Sequence, residues 1–229
     1  MLFAIVGVLI AFLVYFPQLW VRFVMYRHGK EMPGMPGTGG ELAEHLLDKF
    51  DLQDFVVEET MPFGDHFDPS DRAVRLSPKN YSGKSLTAIA VATHEVGHAL
   101  QFHGNEPLFE LRKKYIPQAL ALKRLGIILM FAVPLVGIIA KAPVIVFLTA
   151  AVSIVLQLLG ALMYLIVLPE EWDASFNKAL PILEQGQYVP NEYLPAVSSV
   201  LKAAALTYFS GALADILNIG RWLVIIFRR

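Results

Sequence analysis

Apolar positions crowd into four stretches of the 229-residue chain, 2–20, 126–140, 143–168 and, less cleanly, 196–227. The first has about the length needed to cross a hydrocarbon core of ~30 Å. It has neither the basic start nor the A-x-A-like site of a cleaved leader, so residues 1–24 are expected to be an uncleaved transmembrane anchor. Trp20, Arg22, Tyr26, Arg27 and Lys30 follow it as an interfacial, positive boundary, which places the N-terminus outward. The second and third stretches are parted only by Lys141, Ala142 and Pro143, and 126–168 reads as a transmembrane hairpin. Gln157 is its one strongly polar side chain and is expected to bond a neighbouring helix. The last segment, 196–229, carries Lys202, Asp215, Asn218 and Arg221, and Arg228 and Arg229 favour a cytoplasmic end. An Asp at bilayer depth costs about 3 kcal/mol unless paired, so a fourth span and an interfacial helix both stay open.

Between these runs the pattern changes period. Residues 32–40 are a glycine-proline turn region, and Leu42, Leu46, Leu47 and Phe50 then form a helical stripe, with Thr38 or a glycine as its cap. His45 reads as a surface or packing residue. Residues 55–57 suit a short strand, and 65–77, with Pro69, Ser70 and Asp71 as turn residues, suit a hairpin. Such a sheet could hold an extended peptide along an edge strand or merely cover a helix. That helix begins in the small, apolar stretch 85–92 and ends near Phe102, His103 and Gly104. A basic stretch over 105–125, with Arg112, Lys113, Lys114, Lys123 and Arg124, favours the cytoplasmic membrane face.

Candidate chemistry lies in the buried helix, at His94-Glu95-Val96-Gly97-His98. His94 and His98 stand one turn apart on the same face, where two imidazoles can share a tetrahedral Zn²⁺. Glu95 can then reach a water on the metal without ligating it: zinc lowers that water's pKa to about 7, and the carboxylate takes the proton and passes it to the leaving amine. One buried histidine needs no ligand, but two with a glutamate between them need a partner. His103 is no third ligand, because the extended HExxHxxGxxH spacing requires glycine at 101 and histidine at 104, where this chain has Gln101 and Gly104.

Composition narrows the classes. Charged residues make up 17%, against about 25% in soluble domains, and hydrophobic residues 55%, so the chain reads as an integral membrane protein. The absence of cysteine excludes disulfides, thiolate metal sites and a thiol nucleophile. A net charge of −1 gives no sign of nucleic-acid binding.

The chain resembles the membrane neutral zinc metallopeptidases of bacteria, the YugP-like family. The resemblance runs through the N-terminal anchor, Asp65-His66-Phe67-Asp68-Pro69, residues 92–101 and 168–175, and Leu201-Lys202-Ala203-Ala204-Ala205-Leu206-Thr207-Tyr208. More distantly, Glu171-Trp172-Asp173-Ala174-Ser175 is similar to the Glu-x-x-Ala-Asp helix of gluzincin membrane proteases of the CAAX-processing and HtpX types, in which the glutamate is the third zinc ligand; Ser175 stands where those have aspartate. The resemblance implies a zinc site of His94, His98 and Glu171 with Glu95 as general base, and Asp173 could orient an imidazole from behind. Glu170 is the nearest rival to Glu171. The fold expected is a mainly α membrane protein: a transmembrane anchor (1–24), a small α+β zinc-peptidase region carrying the HExxH helix (25–125), a transmembrane hairpin (126–168), a third-ligand helix and polar loop (169–195), and a last transmembrane or interfacial helix (196–229). The function expected is a zinc-dependent endopeptidase acting on peptides or membrane proteins, multi-pass in a bacterial inner membrane, with its zinc side cytoplasmic. The alternative is a membrane scaffold or assembly factor that keeps zinc only for folding.

Overall fold

The computed structural model describes residues 2–214, and only the backbone of 2–11, 13 and 14; the expectations for Asp215, Asn218, Arg221, Arg228 and Arg229 fall outside the described residues. About three-quarters of the chain is helical. The described residues divide into two compact units, one of 19–110 and 169–207, the other of 2–18, 111–168 and 208–214.

In the first unit most elements pack on α4 (Leu86–His103), whose residues from Leu86 to Ala99 and Gln101 are all buried. A helix covered on all sides in this way is the centre of its unit. Ser85 caps it, its side chain accepting from Ala88 N at 3.1 Å. Thr87 ties its first turn to the end of α1 (Leu2–Arg27), donating from N to His28 O and from Oγ1 to Met25 O. α2 (Gly39–Lys49) starts at a full capping box, with Glu41 N donating to Thr38 Oγ1 and Thr38 N to Glu41 Oε2, and it buries Leu42, Ala43, Leu46 and Leu47. Gly39 permits its close approach: a Cβ there would lie 2.2 Å from Asn80 O and 2.8 Å from Ala88 O.

A three-stranded sheet of order β1-β3-β2 closes one side. β1 (Val56–Glu59) runs parallel to β3 (Ala73–Leu76), and β2 (His66–Asp68) is antiparallel to β3, so the hairpin over 65–77 forms around its Pro-Ser-Asp turn. Phe67 points inward onto a ring cluster with Phe55, Phe102 and Phe109. Asp65 anchors the hairpin to α3 (Pro78–Tyr81), accepting from Ser77 N, Ser77 Oγ and Asn80 Nδ2 at 2.7–3.0 Å. α9 (Leu194–Ala205) packs on α4 and buries Val197, Val200 and Leu201. Segment 196–229, expected as one spanning or interfacial helix, is therefore divided. Its first ten residues spend their apolar face on the protein core, a difference the hydropathy of the segment alone could not register.

The second unit is built on α5 (Pro107–Ala140) and α6 (Pro143–Met163), joined by a turn in which Lys141 adopts φ 49°. The hairpin starts earlier than residue 126. The basic stretch over 105–125 is largely the first half of α5, because its leucines and long charged side chains are good helix formers and Pro107 suits a first turn. The facing helices approach through small residues. A Cβ on Gly126 would lie 2.8 Å from Ser153 O, one on Gly160 2.9 Å from Ala119 O. The bond between helices belongs to Ser153, whose Oγ donates to Gly126 O at 2.6 Å, and Gln157, expected in that role, donates to Ser153 Oγ within its own helix.

Two helices among the described residues are long and apolar enough to cross a membrane: Pro107–Ala140 and a continuous helical stretch Pro143–Gln185. A third counts only if the bent pair Asn191–Ala205 and Thr207–Ala214 is one span. The 143–185 stretch passes from α6 through a 3₁₀ turn (Tyr164–Val167) into α7 (Leu168–Asp173), a π-helical segment (Ala174–Ala179) and α8 (Leu180–Gln185). Residues 181–185, expected as polar loop, are thus helical, with Pro181 just after the π-helical segment.

Candidate metal centre

α4 brings His94 and His98 together by helical spacing alone, their ring centroids 4.6 Å apart. α7 and the π-helical segment cross α4 at Gly97, where an added Cβ would meet Ala174 O at 2.9 Å. This close crossing presents Glu171 to the two imidazoles. His94 Nε2 and His98 Nε2 are 3.2 Å apart, and Glu171 Oε2 lies 3.3 Å from the first and 3.4 Å from the second. All three side chains are buried, and they form a group able to hold a metal ion. A tetrahedron with zinc–ligand bonds of about 2.0–2.1 Å has edges of about 3.3–3.4 Å. The three measured separations are one face of such a tetrahedron.

Hydrogen bonds behind the rings set which nitrogen carries the proton. The Ser175 hydroxyl has one hydrogen, which it donates to Leu201 O at 3.0 Å, so it accepts from His94 Nδ1–H, also at 3.0 Å. Gln101 Nε2 donates to Glu170 O at 3.1 Å and Asp173 Oδ2 at 2.8 Å, which turns its Oε1 toward His98 Nδ1 at 2.9 Å. The Glu170 carboxylate lies 2.8 Å from the same Nδ1. Both imidazoles thus hold their hydrogen on Nδ1 and aim the Nε2 lone pair at Glu171. Three electron-rich atoms at such distances repel unless a cation or an extra proton stands among them. Burial alone would lower the His98 pKa, but the Glu170 and Glu171 charges outweigh it and hold that pKa well above the ordinary histidine range. The donor set, borderline-soft nitrogens with one carboxylate, fits zinc.

Glu95 is buried one residue along, outside the trio. Burial raises its pKa; His94 and His98 pull it down, and Glu171 and Asp65 add to the rise. A raised pKa is the direction that suits a carboxylate to taking up and giving back a proton.

The sequence reading had Glu170 as a rival donor, Ser175 as a departure from the expected aspartate and Asp173 as the residue behind an imidazole. The structure sets Glu170 on the far nitrogen of His98, Ser175 directly behind His94, and Asp173 one residue removed, acting through Gln101. Gln101 joins the site as a polar residue one turn beyond His98 on a buried face, which is the signal the sequence carries for it. His103 ends α4 and has its ring against Phe55, and His45 bonds Tyr188 OH at 2.8 Å.

Comparison with known proteins identifies a zinc peptidase family. The family described as "putative neutral zinc metallopeptidase" matches residues 2–227. The chain is 34% identical to the "putative membrane protease YugP" of Bacillus subtilis (strain 168) over 232 residues, covering 98% of this chain and 96% of that protein. No solved structure matches. The chain belongs to this zinc metallopeptidase family.

Proposed function

From that membership and this geometry, we propose that the protein is a membrane-anchored zinc endopeptidase in which His94, His98 and Glu171 hold the metal and Glu95 is the general base. The observation that carries the reading is the tetrahedral face of two Nε2 atoms and one Oε2, with every Nδ1 already engaged elsewhere. The group formed among the described residues has three protein donors, the number catalytic zinc sites use, whereas structural sites close with four. Zinc held there supplies Lewis acidity, polarising the scissile carbonyl and acidifying water. Ser175 and the Gln101–Glu170 pair keep both imidazoles in the tautomer that presents Nε2. Glu95, its pKa raised by burial, takes the proton from the attacking water and returns it to the departing amine nitrogen.

Substrates are peptides or membrane proteins, and the lipid bilayer is the standing partner. The basic residues of α5, Arg112, Lys113, Lys114, Lys123 and Arg124, favour a multi-pass arrangement in a bacterial inner membrane with the zinc unit cytoplasmic. The chain lacks cysteine, so single-cysteine variants report cleanly. In intact cells a cysteine at Ala142 is expected to react with an impermeant maleimide and one at Ser82 to stay protected; the reverse pattern puts the site outside.

Purified Glu95→Gln is expected to keep one zinc per chain and lose about 10²–10⁴-fold in peptide hydrolysis. His94→Ala is expected to lose both. Undiminished cleavage by Glu95→Gln removes Glu95 from the mechanism, and a wild-type protein that binds zinc but cleaves no membrane or soluble peptide supports the scaffold.

A further inference from the structure

Two consecutive glutamates grip one imidazole from opposite sides. Side chains at adjacent helical positions point about 100° apart. On α7 this sends Glu171 Oε2 to the Nε2 side of His98 at 3.4 Å and Glu170 Oε1 to its Nδ1 side at 2.8 Å. Glu170 is 1% exposed and Glu171 2%, so both carboxylates are buried where charge is costly unless paired. The two imidazoles are not backed alike. His94 donates to a neutral hydroxyl whose own proton goes to a backbone carbonyl, while His98 donates to a charged carboxylate shared with the Gln101 amide oxygen. A carboxylate behind a ligating imidazole orients the ring and raises its basicity, which strengthens its bond to a metal.

We propose that Glu170 is a positioning residue of the zinc site, holding His98 at Nδ1 and raising metal affinity through that ring without touching the metal. This rests on the donor set of His94, His98 and Glu171 proposed above. Gln101 has the lesser part of a brace: its amide nitrogen joins Glu170 O to Asp173 Oδ2 and keeps the turn of α7 that carries Glu170 against α4. The sequence offers Glu170 and Glu171 as equivalent acids, and only the azimuth of α7 over α4 separates the work of one from that of the other.

The test measures zinc affinity of the detergent-purified full chain by competition with a chromogenic chelator, and the melting temperature of the same samples in chelator at alkaline pH, where no extra proton on His98 pairs with Glu170. Glu170→Gln keeps an acceptor of the same shape but loses the charge. It is expected to bind one zinc per chain about 10–100-fold more weakly, with a shifted visible spectrum when loaded with cobalt and a metal-free melting temperature like wild type. Glu171→Gln is expected to lose stoichiometric zinc. Wild-type zinc affinity in Glu170→Gln overturns the proposal, and so does a loss of affinity matched by a loss of metal-free melting temperature, since that marks a structural role. Wild-type zinc binding by Glu171→Gln overturns instead the donor set on which the proposal stands. Gln101→Leu leaves the Glu170 carboxylate in place and is expected to shift affinity by only a few fold; a loss as large as that expected for Glu170→Gln assigns His98 to the amide and overturns the proposal even where Glu170→Gln does not fold.

Discussion

The unit around α4 and the unit around the α5–α6 hairpin draw on the same apolar residue types and use them in opposite directions. Around α4 the fully buried side chains include Leu46, Leu52, Leu76, Leu183 and Leu201. In the hairpin Ser153 and Ala161 have no exposure at all, while Phe131, Ile138 and Ile139 are 66–72% exposed. Water drives leucine inward in the first unit. Lipid is as apolar as leucine, so helices able to cross a membrane can meet through small residues, a serine hydrogen bond and the small cluster of Met130, Val133 and Ala150, and leave most of their bulk outside. The contrast also marks where the chemistry is. Among the described residues the buried ionisable side chains of the α4 unit all stand together, His94, Glu95, His98, Glu170 and Glu171, with Gln101 and Ser175 among them.

Core truncation tests the contrast most severely. Leu46→Ala removes a side chain with no exposure and is expected to destabilise the zinc unit by about 2–5 kcal/mol, read as a lowered unfolding midpoint with earlier zinc release. A smaller loss, about 1–3 kcal/mol, is expected when the hairpin is overpacked by Gly126→Leu, whose Cβ would meet Gln157 Cγ at 2.7 Å and Ser153 O at 2.8 Å. Zinc content should stay at one per chain in that variant, and its loss would show that the hairpin also shapes the site.

A pH series separates the metal-free zinc unit from the loaded one. The His98 pKa is raised by Glu170 and Glu171 against burial, so its contribution to stability is full below the unfolded value of about 6.5 and is lost as pH rises through the folded value. Burial raises Glu95 too, and for a carboxylate this disfavours the ionised fold above its ordinary range, so it acts in the same sense. The chelated protein should melt lower as pH climbs above about 6.5. Zinc competes with protons for the same ligands, so the gap between zinc-loaded and chelated melting temperatures should widen over that range. A constant gap would argue against metal at these imidazoles. The smallest effect is expected of Ile138→Ala on the exposed hairpin face, within about 0.5 kcal/mol by the same unfolding measurement.

What could be read from the sequence was local. The i, i+4 spacing puts His94 and His98 on one face wherever a helix forms, and Ser85 and the apolar run after it make that helix. A cap at Thr38 or a glycine, the turn at Pro69-Ser70-Asp71 and the break at Lys141-Ala142-Pro143 are legible for the same reason, since each is set by neighbours a few residues away. What only the tertiary structure decided involves elements distant in the chain. Leu201 engages Ser175 and so fixes the tautomer of His94; Gln101 reaches Asp173; and the crossing of α7 over Gly97 puts Glu171 beside the Nε2 atoms and Glu170 behind His98. A helix period says that two successive glutamates diverge, but not which one faces a partner some seventy residues away. Likewise hydropathy measured 196–205 as apolar and could not say whether lipid or α4 would cover it. Packing settled both, because the direction a side chain faces depends on the neighbour that buries it.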